Sequence, residues 1–290
     1  MIRIAFLGCD STHTEAFASR INPVGAPFYG RARVVSIWGE DFSQATVKAA
    51  SLGIDRVAAK PIDALADIDL VMVIGRFGES HFVPTMIALE AGLPTFVDKP
   101  FTVSSLEATQ LAVRARELGV PLVSASPLRF AKELLELKEL IAKRDSWKSI
   151  VVTVPANCTD LGPDPRLNSA FFYGIHGLEM LLELAGHDIK DTKINYASGA
   201  ISVTLEFGEG RTALFEMIRD TPEFYEVGVY TSAVVQRLHV ELDGSYYESE
   251  LSALFDSVLH KSKFVPIEST LAIVDLLESI EQRDPFKVKP

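Results

Sequence analysis

The chain has 290 residues, of which 48% are hydrophobic and 23% are charged, a balance typical of folded globular proteins and not of disordered ones. Its length favours two domains over one. The formal net charge of −11 comes without a basic cluster, which argues against nucleic-acid or anionic-membrane binding because a phosphate-rich surface would repel the chain.

The cysteine content and the hydropathy pattern both favour a cytoplasmic location. Cys9 and Cys158 are too few to build a disulfide framework or a zinc site by themselves, and they fit a reducing environment. The first residues predict a buried strand and lack the features of a signal peptide, and no apolar run approaches the roughly 20 residues needed to span a bilayer. We therefore expect a soluble, cytoplasmic protein.

Short apolar runs alternate with helical patterns through the first 125 residues. The predicted strands are Ile2–Leu7, Arg33–Trp38, Leu70–Ile74, Thr95–Val97 and Val120–Ala125, and the predicted helices are His13–Ile21, Ser43–Leu52, Val83–Ala91 and Ser104–Leu118. Gly92 and Gly119 are expected to close the last two helices, and Ser104 to cap one of them. Apolar strands separated by helices predict a doubly wound parallel sheet, covered on both faces, over residues 1–122.

The pattern changes after a further predicted helix, Ala131–Ala142. Residues 201–207 alternate apolar and polar side chains, Gly208–Gly210 turns the chain, and Arg211–Ile218 returns as a hairpin partner. More strand-like sequence extends from 225 to 242, and a terminal helix, Ser269–Gln282, is expected to cover part of the sheet. Residues 123–290 are thus predicted to form an α+β domain with an open, mostly antiparallel sheet whose polar face can serve as an oligomer surface.

The loop after the first strand is a candidate phosphate site. Gly8 precedes Asp10-Ser11-Thr12-His13 and then a helix, the place where a dinucleotide-binding fold holds its pyrophosphate. Ser11 and Thr12 can donate hydroxyl hydrogen bonds and His13 can add positive charge, whereas the Asp10 carboxylate is unfavourable there. The usual Gly-x-Gly-x-x-Gly is reduced to one glycine, and simple helix capping is the alternative interpretation.

Glu40 and Asp41 follow the second strand, where a ribose-binding acid is expected. Either carboxylate can accept hydrogen bonds from the ribose hydroxyls and repel a 2′-phosphate, which favours NAD over NADP. A solvated turn is the alternative.

The sequence Val97-Asp98-Lys99-Pro100 ends the fourth predicted strand. A lysine there lies at the carboxyl edge of the sheet, where ligands bind in open α/β folds. Pro100 restricts Lys99 to an extended backbone. Lys99 is therefore a candidate catalytic residue, and an idle surface lysine is the alternative.

Five segments in order resemble the glucose-fructose oxidoreductase, inositol dehydrogenase and rhizopine-catabolism (Gfo/Idh/MocA) family. They are IDLVMVIGRFGESHFVPTMIALEAG, GLPTFVDKPFTVSSLEATQL, PLVSASPLRFAKELLELKELI, FFYGIHGLEMLLELAG and ALFDSVLHKSKFVPIESTLAIVDLLESI. Asp98 stands at the family's common glutamate, His81 at its recurring histidine, and Gly174 and His176 in its Asp-x-Gly-x-His helix start. The family's aspartate falls on Phe172.

The resemblance implies a Rossmann-type NAD(P) domain and hydride transfer at a carbinol carbon of a small sugar, polyol or ring. It implies that Lys99 and His176 hold the reacting hydroxyl, and that Gly75, His81 and Asp98 belong to the cofactor crevice. A homo-oligomer, dimer or tetramer, is also expected. Because Phe172 can neither orient a histidine nor accept a proton, a non-enzymatic ligand-binding or sensor protein is the main alternative, and reduction of a double bond or imine is a third.

Two further residues are candidate substrate contacts. Arg129 can bind a substrate carboxylate or the cofactor, or form a structural salt bridge, and Tyr173 can contact substrate or close an apolar pocket. His176 shares a helix face with Glu179 and Glu183, but no second histidine or acid cluster completes a metal site, so no metal is expected.

Overall fold

The computed structural model describes residues 1–144, 147–158, 164–260 and 264–286. The chain divides into two compact units. The first combines Met1–Ala125 with Tyr247–Val274, and the second combines Ser126–Tyr246 with the residues from Asp275 onward. The sequence predicts two contiguous domains, 1–122 and 123–290, whereas the structure places the first crossing after Ala125 and returns a later segment to the first unit.

Parallel strands and helices alternate in the N-terminal part of the first unit. The strands are β1 (Ile2–Leu7), β2 (Ala32–Trp38), β3 (Arg56–Ala58), β4 (Leu70–Val73), β5 (Thr95–Val97) and β6 (Leu122–Ser124), and the helices are α1 (His13–Ile21), α2 (Phe42–Leu52), α3 (Phe82–Glu90) and α4 (Ser105–Leu118). Capping residues begin and end helix α4 as predicted. Ser104 Oγ accepts from Glu107 N at 3.4 Å, and Gly119 closes α4 with a φ of +65°.

The first sheet has the strand order β3-β2-β1-β4-β5-β6. Every neighbouring pair is parallel, and β4 is buried along its whole length, as expected for strands covered on both faces. The order reverses beside β1, so β1 and β4 form the switch point at which open α/β sheets bind ligands. The predicted doubly wound fold is confirmed.

The second unit is built on another six-stranded sheet, in the order β12-β11-β7-β10-β9-β8. Its elements are α5 (Lys132–Arg144), β7 (Ser149–Pro155), α6 (Ala170–Ala185), β8 (Ile189–Ala197), β9 (Ala200–Phe207), β10 (Thr212–Ile218), β11 (Glu226–Tyr230) and β12 (Val235–His239). Only the β7–β10 pair is parallel among these strands. In β9 buried residues alternate with half-exposed ones, which confirms the predicted open, mostly antiparallel sheet.

Helix α6 lies directly on the buried face of this sheet. A Cβ added at Gly177 would be 2.4 Å from the Phe215 ring and 2.9 Å from Val154. Only glycine allows so close an approach between helix backbone and sheet. The packing therefore fixes the position of α6, which carries His176, relative to β7 and β10.

The chain then forms α7 (Tyr246–His260) and α8 (Ile267–Arg283). Leu251, Leu254 and Phe255 of α7 belong to the same buried cluster as Phe6 and Phe28 of the first unit. The rings of Phe28 and Phe255 meet edge to face with centroids 5.3 Å apart. These contacts explain why the first unit includes a segment that is distant in sequence.

Candidate active site

Glycines line the switch point of the first sheet. Gly8 follows β1 with a φ of +107°, and a Cβ there would lie 2.5 Å from Gly75 N and 2.8 Å from Gly75 Cα. Side chains are excluded by both the backbone conformation and the available space. The structure thus brings together Gly8 and Gly75, two of the predicted cofactor residues, as a strip of bare backbone.

The loop from Asp10 to His13 is held by its own hydrogen bonds. Ser11 Oγ accepts from His13 N at 3.1 Å, and Asp10 Oδ1 accepts from Arg76 N at 3.1 Å. Thr12 is exposed at the N-cap of α1 with no hydrogen bond from its side chain to the helix. Ser11 therefore acts as the local cap, and Asp10 connects this loop to the segment after β4.

Lys48 of α2 was not singled out by the sequence, although its side chain contacts this loop. Its Nζ lies 3.0 Å from the Ser11 carbonyl oxygen and 3.1 Å from Glu15 Oε2. The ammonium, which is paired with Glu15, thus lies against the backbone of the candidate phosphate site.

Asp98 and His13 form a buried pair behind Lys99. His13 Nδ1 lies 2.5 Å from Asp98 Oδ2, and Asp98 Oδ1 accepts from Lys99 N at 2.8 Å. Burial raises the pKa of the Asp98 carboxyl, but the charges of His13 and Lys99 outweigh it and hold that pKa below its usual range. Asp98 is therefore a carboxylate that fixes the backbone of Lys99, whose side chain is mostly buried.

His81 lies buried beneath the carboxyl edge of the first sheet and binds two of its loops. It is fully buried, with Nε2 2.9 Å from the Gly75 carbonyl oxygen and Nδ1 2.8 Å from that of Pro100. Both ring nitrogens are engaged by backbone carbonyl oxygens, so His81 connects the segments that follow β4 and β5. Its place in the cofactor crevice stays a prediction.

The two acids after β2 differ in their surroundings. Asp41 Oδ1 accepts from Ser43 N at 2.8 Å and from Gln44 N at 3.0 Å, so it is the N-cap of α2. Glu40 is exposed at the carboxyl end of the strand. Of the two acids, Asp41 is engaged by the helix and Glu40 is exposed to solvent.

A dinucleotide fits this edge of the first unit. The bare backbone at Gly8 and Gly75 is the type of surface that a pyrophosphate approaches closely, and the start of α1 and Lys48 favour negative charge. Asp10 is unfavourable for the same charge reason.

In the second unit, Arg129 forms a buried ion pair and not an open anion site. Its guanidinium donates to Glu179 and Glu183, and Lys138 also pairs with Glu183. Although burial disfavours the charge, the two carboxylates raise the pKa of Arg129. Of the two interpretations that the sequence leaves open for Arg129, the structure thus shows the structural salt bridge.

His176 lies in α6 with a hydroxyl partner that the sequence analysis missed. Its Nδ1 is 2.6 Å from Ser126 Oγ, and its ring meets Tyr225 edge to face with centroids 5.4 Å apart. Ser126 follows the last strand of the first sheet, so the rule that singled out Lys99 at a strand end also applied to it. Tyr173 is buried beside Phe172, with ring centroids 4.9 Å apart.

Within the described ranges, no group of three or more histidine, cysteine, aspartate or glutamate side chains is arranged to hold a metal ion. Nor does any helix in those ranges have the length and hydropathy to cross a membrane.

Known proteins resemble both the N-terminal part and the whole fold. An inositol 2-dehydrogenase of Mycolicibacterium smegmatis is 31% identical over 158 residues, which are 52% of this chain and 43% of that protein, so the match spans less than half of the relative. The structure of GenD2 from gentamicin A biosynthesis, in complex with NAD, has a TM-score of 0.81 at 19% identity and covers 96% of this chain and 92% of its own. Scyllo-inositol dehydrogenase from Lactobacillus casei, with NAD(H) and scyllo-inositol bound, has a TM-score of 0.80 at 14% identity, covering 98% and 97%.

The solved structures share the fold at identities too low to transfer a function. Residues 2–126 also match the family model described as an oxidoreductase family with an NAD-binding Rossmann fold. Over these residues, fewer than half of the chain, the protein is similar to the Gfo/Idh/MocA oxidoreductase family.

Proposed function

We propose that the protein is an NAD-dependent dehydrogenase that transfers hydride between a nicotinamide and the carbinol carbon of a small polyol, sugar or related ring. The observation that carries this proposal is the buried His13–Asp98 pair, whose carboxylate fixes Lys99 at the ligand-binding edge of the sheet. The inositol 2-dehydrogenases among the relatives support a hydroxylated ring as substrate.

The first unit would hold the cofactor. Gly8 and Gly75 would give the pyrophosphate close access to backbone, with Ser11 and Thr12 at the start of α1 and Glu40 on the ribose hydroxyls. When bound, the nicotinamide ring supplies the acceptor or donor of a hydride.

Lys99 and His176 have different roles at the substrate hydroxyl. Lys99, mostly buried, stabilises the negative charge that develops on oxygen as the proton leaves. His176 takes that proton, because an imidazole has an ordinary pKa close to neutral pH. The two residues belong to different units, so their joint action is tested by kinetics.

Single and double variants test these roles with NAD⁺ and a panel of cyclic polyols that includes myo-inositol and scyllo-inositol. Lys99→Met and His176→Ala should each lower kcat by about 10²–10⁴-fold. The double variant should lose far less than the product of the two, because groups that act on one step are not additive. Lys143→Met removes an exposed lysine as a control and should leave kcat unchanged. A wild-type rate in His176→Ala would refute the assignment.

A ligand-binding or sensor protein without catalysis is the second candidate. It is favoured by the Asp10 carboxylate at the candidate phosphate site and by Phe172, which stands where the family has an aspartate. Calorimetry separates the candidates, since the dehydrogenase must bind NADH in the micromolar to millimolar range. Absence of NADH and NADPH binding at millimolar concentration would favour the sensor.

A further inference from the structure

A hydroxyl group from outside α6 meets a defined ring atom of His176. Ser126 Oγ lies 2.6 Å from Nδ1, Ser126 is fully buried, and His176 is 8% exposed. Oγ also accepts from Leu128 N at 3.2 Å, as the cap of the short 3-10 helix Pro127–Phe130. The backbone amide therefore fixes the hydroxyl oxygen that meets the imidazole.

We propose that Ser126 is the positioning residue of His176, accepting a hydrogen bond from Nδ1–H so that Nε2 exchanges the substrate proton. This assignment rests on the proposed dehydrogenase function and identifies what orients the base of that reaction. Phe172 precedes His176 by four residues on the same helix face and offers no hydrogen bond. The neutral Ser126 hydroxyl thus orients the imidazole, a role that a charged carboxylate could also fill.

The contact suits both proton states of the ring. During oxidation the substrate O–H bond breaks and an N–H bond forms at Nε2, while the hydride leaves the carbinol carbon for oxidised nicotinamide. Nδ1 carries a proton before and after this step, so Ser126 Oγ is the acceptor throughout. One lone pair of Oγ serves Leu128 N–H and the other serves Nδ1–H, which is the full acceptor capacity of a hydroxyl.

A second contact limits rotation of the ring. Tyr225 is fully buried, its ring stands at 77° to that of His176, and its hydroxyl donates to Glu223 Oε1 at 3.1 Å. Burial above all, and then Glu223, raises the pKa of Tyr225 well above its usual value, so it remains a neutral phenol. The imidazole is held at Nδ1 by an acceptor and is packed against an uncharged ring.

The experiment compares Ser126→Ala and Ser126→Thr with the wild type, first without any substrate. In the wild-type protein, nitrogen-15 NMR should show the neutral His176 ring protonated at Nδ1. Ser126→Ala should give a mixture of the two tautomers, and Ser126→Thr should restore the wild-type shifts because it keeps the hydroxyl. Ser124→Ala removes an equally buried serine and should leave the shifts unchanged. A wild-type ring protonated at Nε2, or unchanged shifts in Ser126→Ala, would overturn the proposal.

Kinetics with NAD⁺ and the polyol panel then separate positioning from binding. Ser126→Ala should lower kcat by about 10-fold or more, within the range of acid–base catalysis, with KM changed less than threefold, and Ser126→Thr should recover most of kcat. Equal losses in the alanine and threonine variants would contradict a role of the hydroxyl. If the tautomer shifts while the wild type turns over no member of the panel, the Ser126–His176 contact stands and the dehydrogenase function fails.

Discussion

Glu40 and Asp41 are adjacent acids at the end of β2, but only Asp41 is used by a helix. Asp41 caps α2 through two backbone amides, while Glu40 is exposed at the sheet edge. We expect Glu40→Ala to reduce the preference for NAD over NADP by about tenfold, because hydrogen bonds from the ribose to a carboxylate and its repulsion of a 2′-phosphate are both lost.

Asp41→Ala is the matched control in the same calorimetric titration. It should cost about 1 kcal/mol of stability, because the helix cap is lost. The ratio of the affinities for NAD and NADP should stay unchanged. If this affinity ratio changes only in the Asp41 variant, Glu40 does not face the ribose.

The Asp98 carboxylate makes stability depend on pH. Its folded-state pKa is lower than its usual value because, despite burial, His13 and Lys99 favour the charge, so the unfolded chain binds more protons as the medium becomes acidic. The contribution is complete above the unfolded-state value, about pH 4, and is lost as pH falls through the folded-state pKa.

Denaturant unfolding between pH 7 and pH 3 measures this contribution. Asp98→Asn should destabilise the protein by about 1–3 kcal/mol at pH 7 and flatten the acid limb of the profile. Asp55→Asn, which breaks an exposed pair with Arg33, should change the profile by less than about 1 kcal/mol. An unchanged acid limb in Asp98→Asn would contradict a lowered pKa.

Sequence reasoning located residues better than it located their partners. Lys99 and Gly8 were found because strand ends define the ligand edge of a parallel sheet. The His176–Ser126 and Arg129–Glu179 contacts each join residues 50 positions apart, and no local pattern specifies such pairs. The choice between substrate contact and salt bridge for Arg129 therefore needed coordinates.

The turn from β1 into α1 depends on Gly8. Gly8→Ala should destabilise the protein by more than 2 kcal/mol, because about 1–2 kcal/mol of left-handed backbone strain adds to a contact of 2.5 Å with Gly75 N. It should also weaken NADH binding, since the two segments of the switch point must move apart.

Gly53→Ala provides the comparison for backbone strain alone. Gly53 has a φ of +64°, and a Cβ there would meet nothing within 4 Å. We expect a loss of about 1–2 kcal/mol in denaturant unfolding and unchanged NADH affinity. Equal losses for the two variants would show that the approach of Gly8 to Gly75 is not tight.

The elements that sequence predicted best were those with their own end signals. Helix α1 and strands β1 and β5 were predicted at their observed bounds, and α4 starts one residue after its predicted cap. Strand β3 was missed because three residues carry no periodicity, and β7, β8 and α7 were not assigned. The packing of α7 on the first unit could not be predicted, because amphipathicity shows that a face is buried but not which surface covers it.

Helix α7 completes the core of the first unit. Phe255→Ala should cost about 3–5 kcal/mol, because the ring is fully buried against Phe28. Leu259→Ala on the same helix should stay within about 0.5 kcal/mol, since Leu259 is 48% exposed. Hydrogen exchange of β1 amides should accelerate only in Phe255→Ala, and an effect confined to α7 would mean that the helix is peripheral.

The return of the chain to its first unit has a consequence for biosynthesis. Translation at about 5–20 residues per second separates the appearance of Ala125 from that of Leu251 by roughly 6–25 s. Throughout that interval the nascent sheet lacks the apolar cover that Leu251, Leu254 and Phe255 provide. The nucleotide-binding half therefore matures late although it is made early, and its uncovered apolar surface is what a ribosome-associated chaperone would encounter.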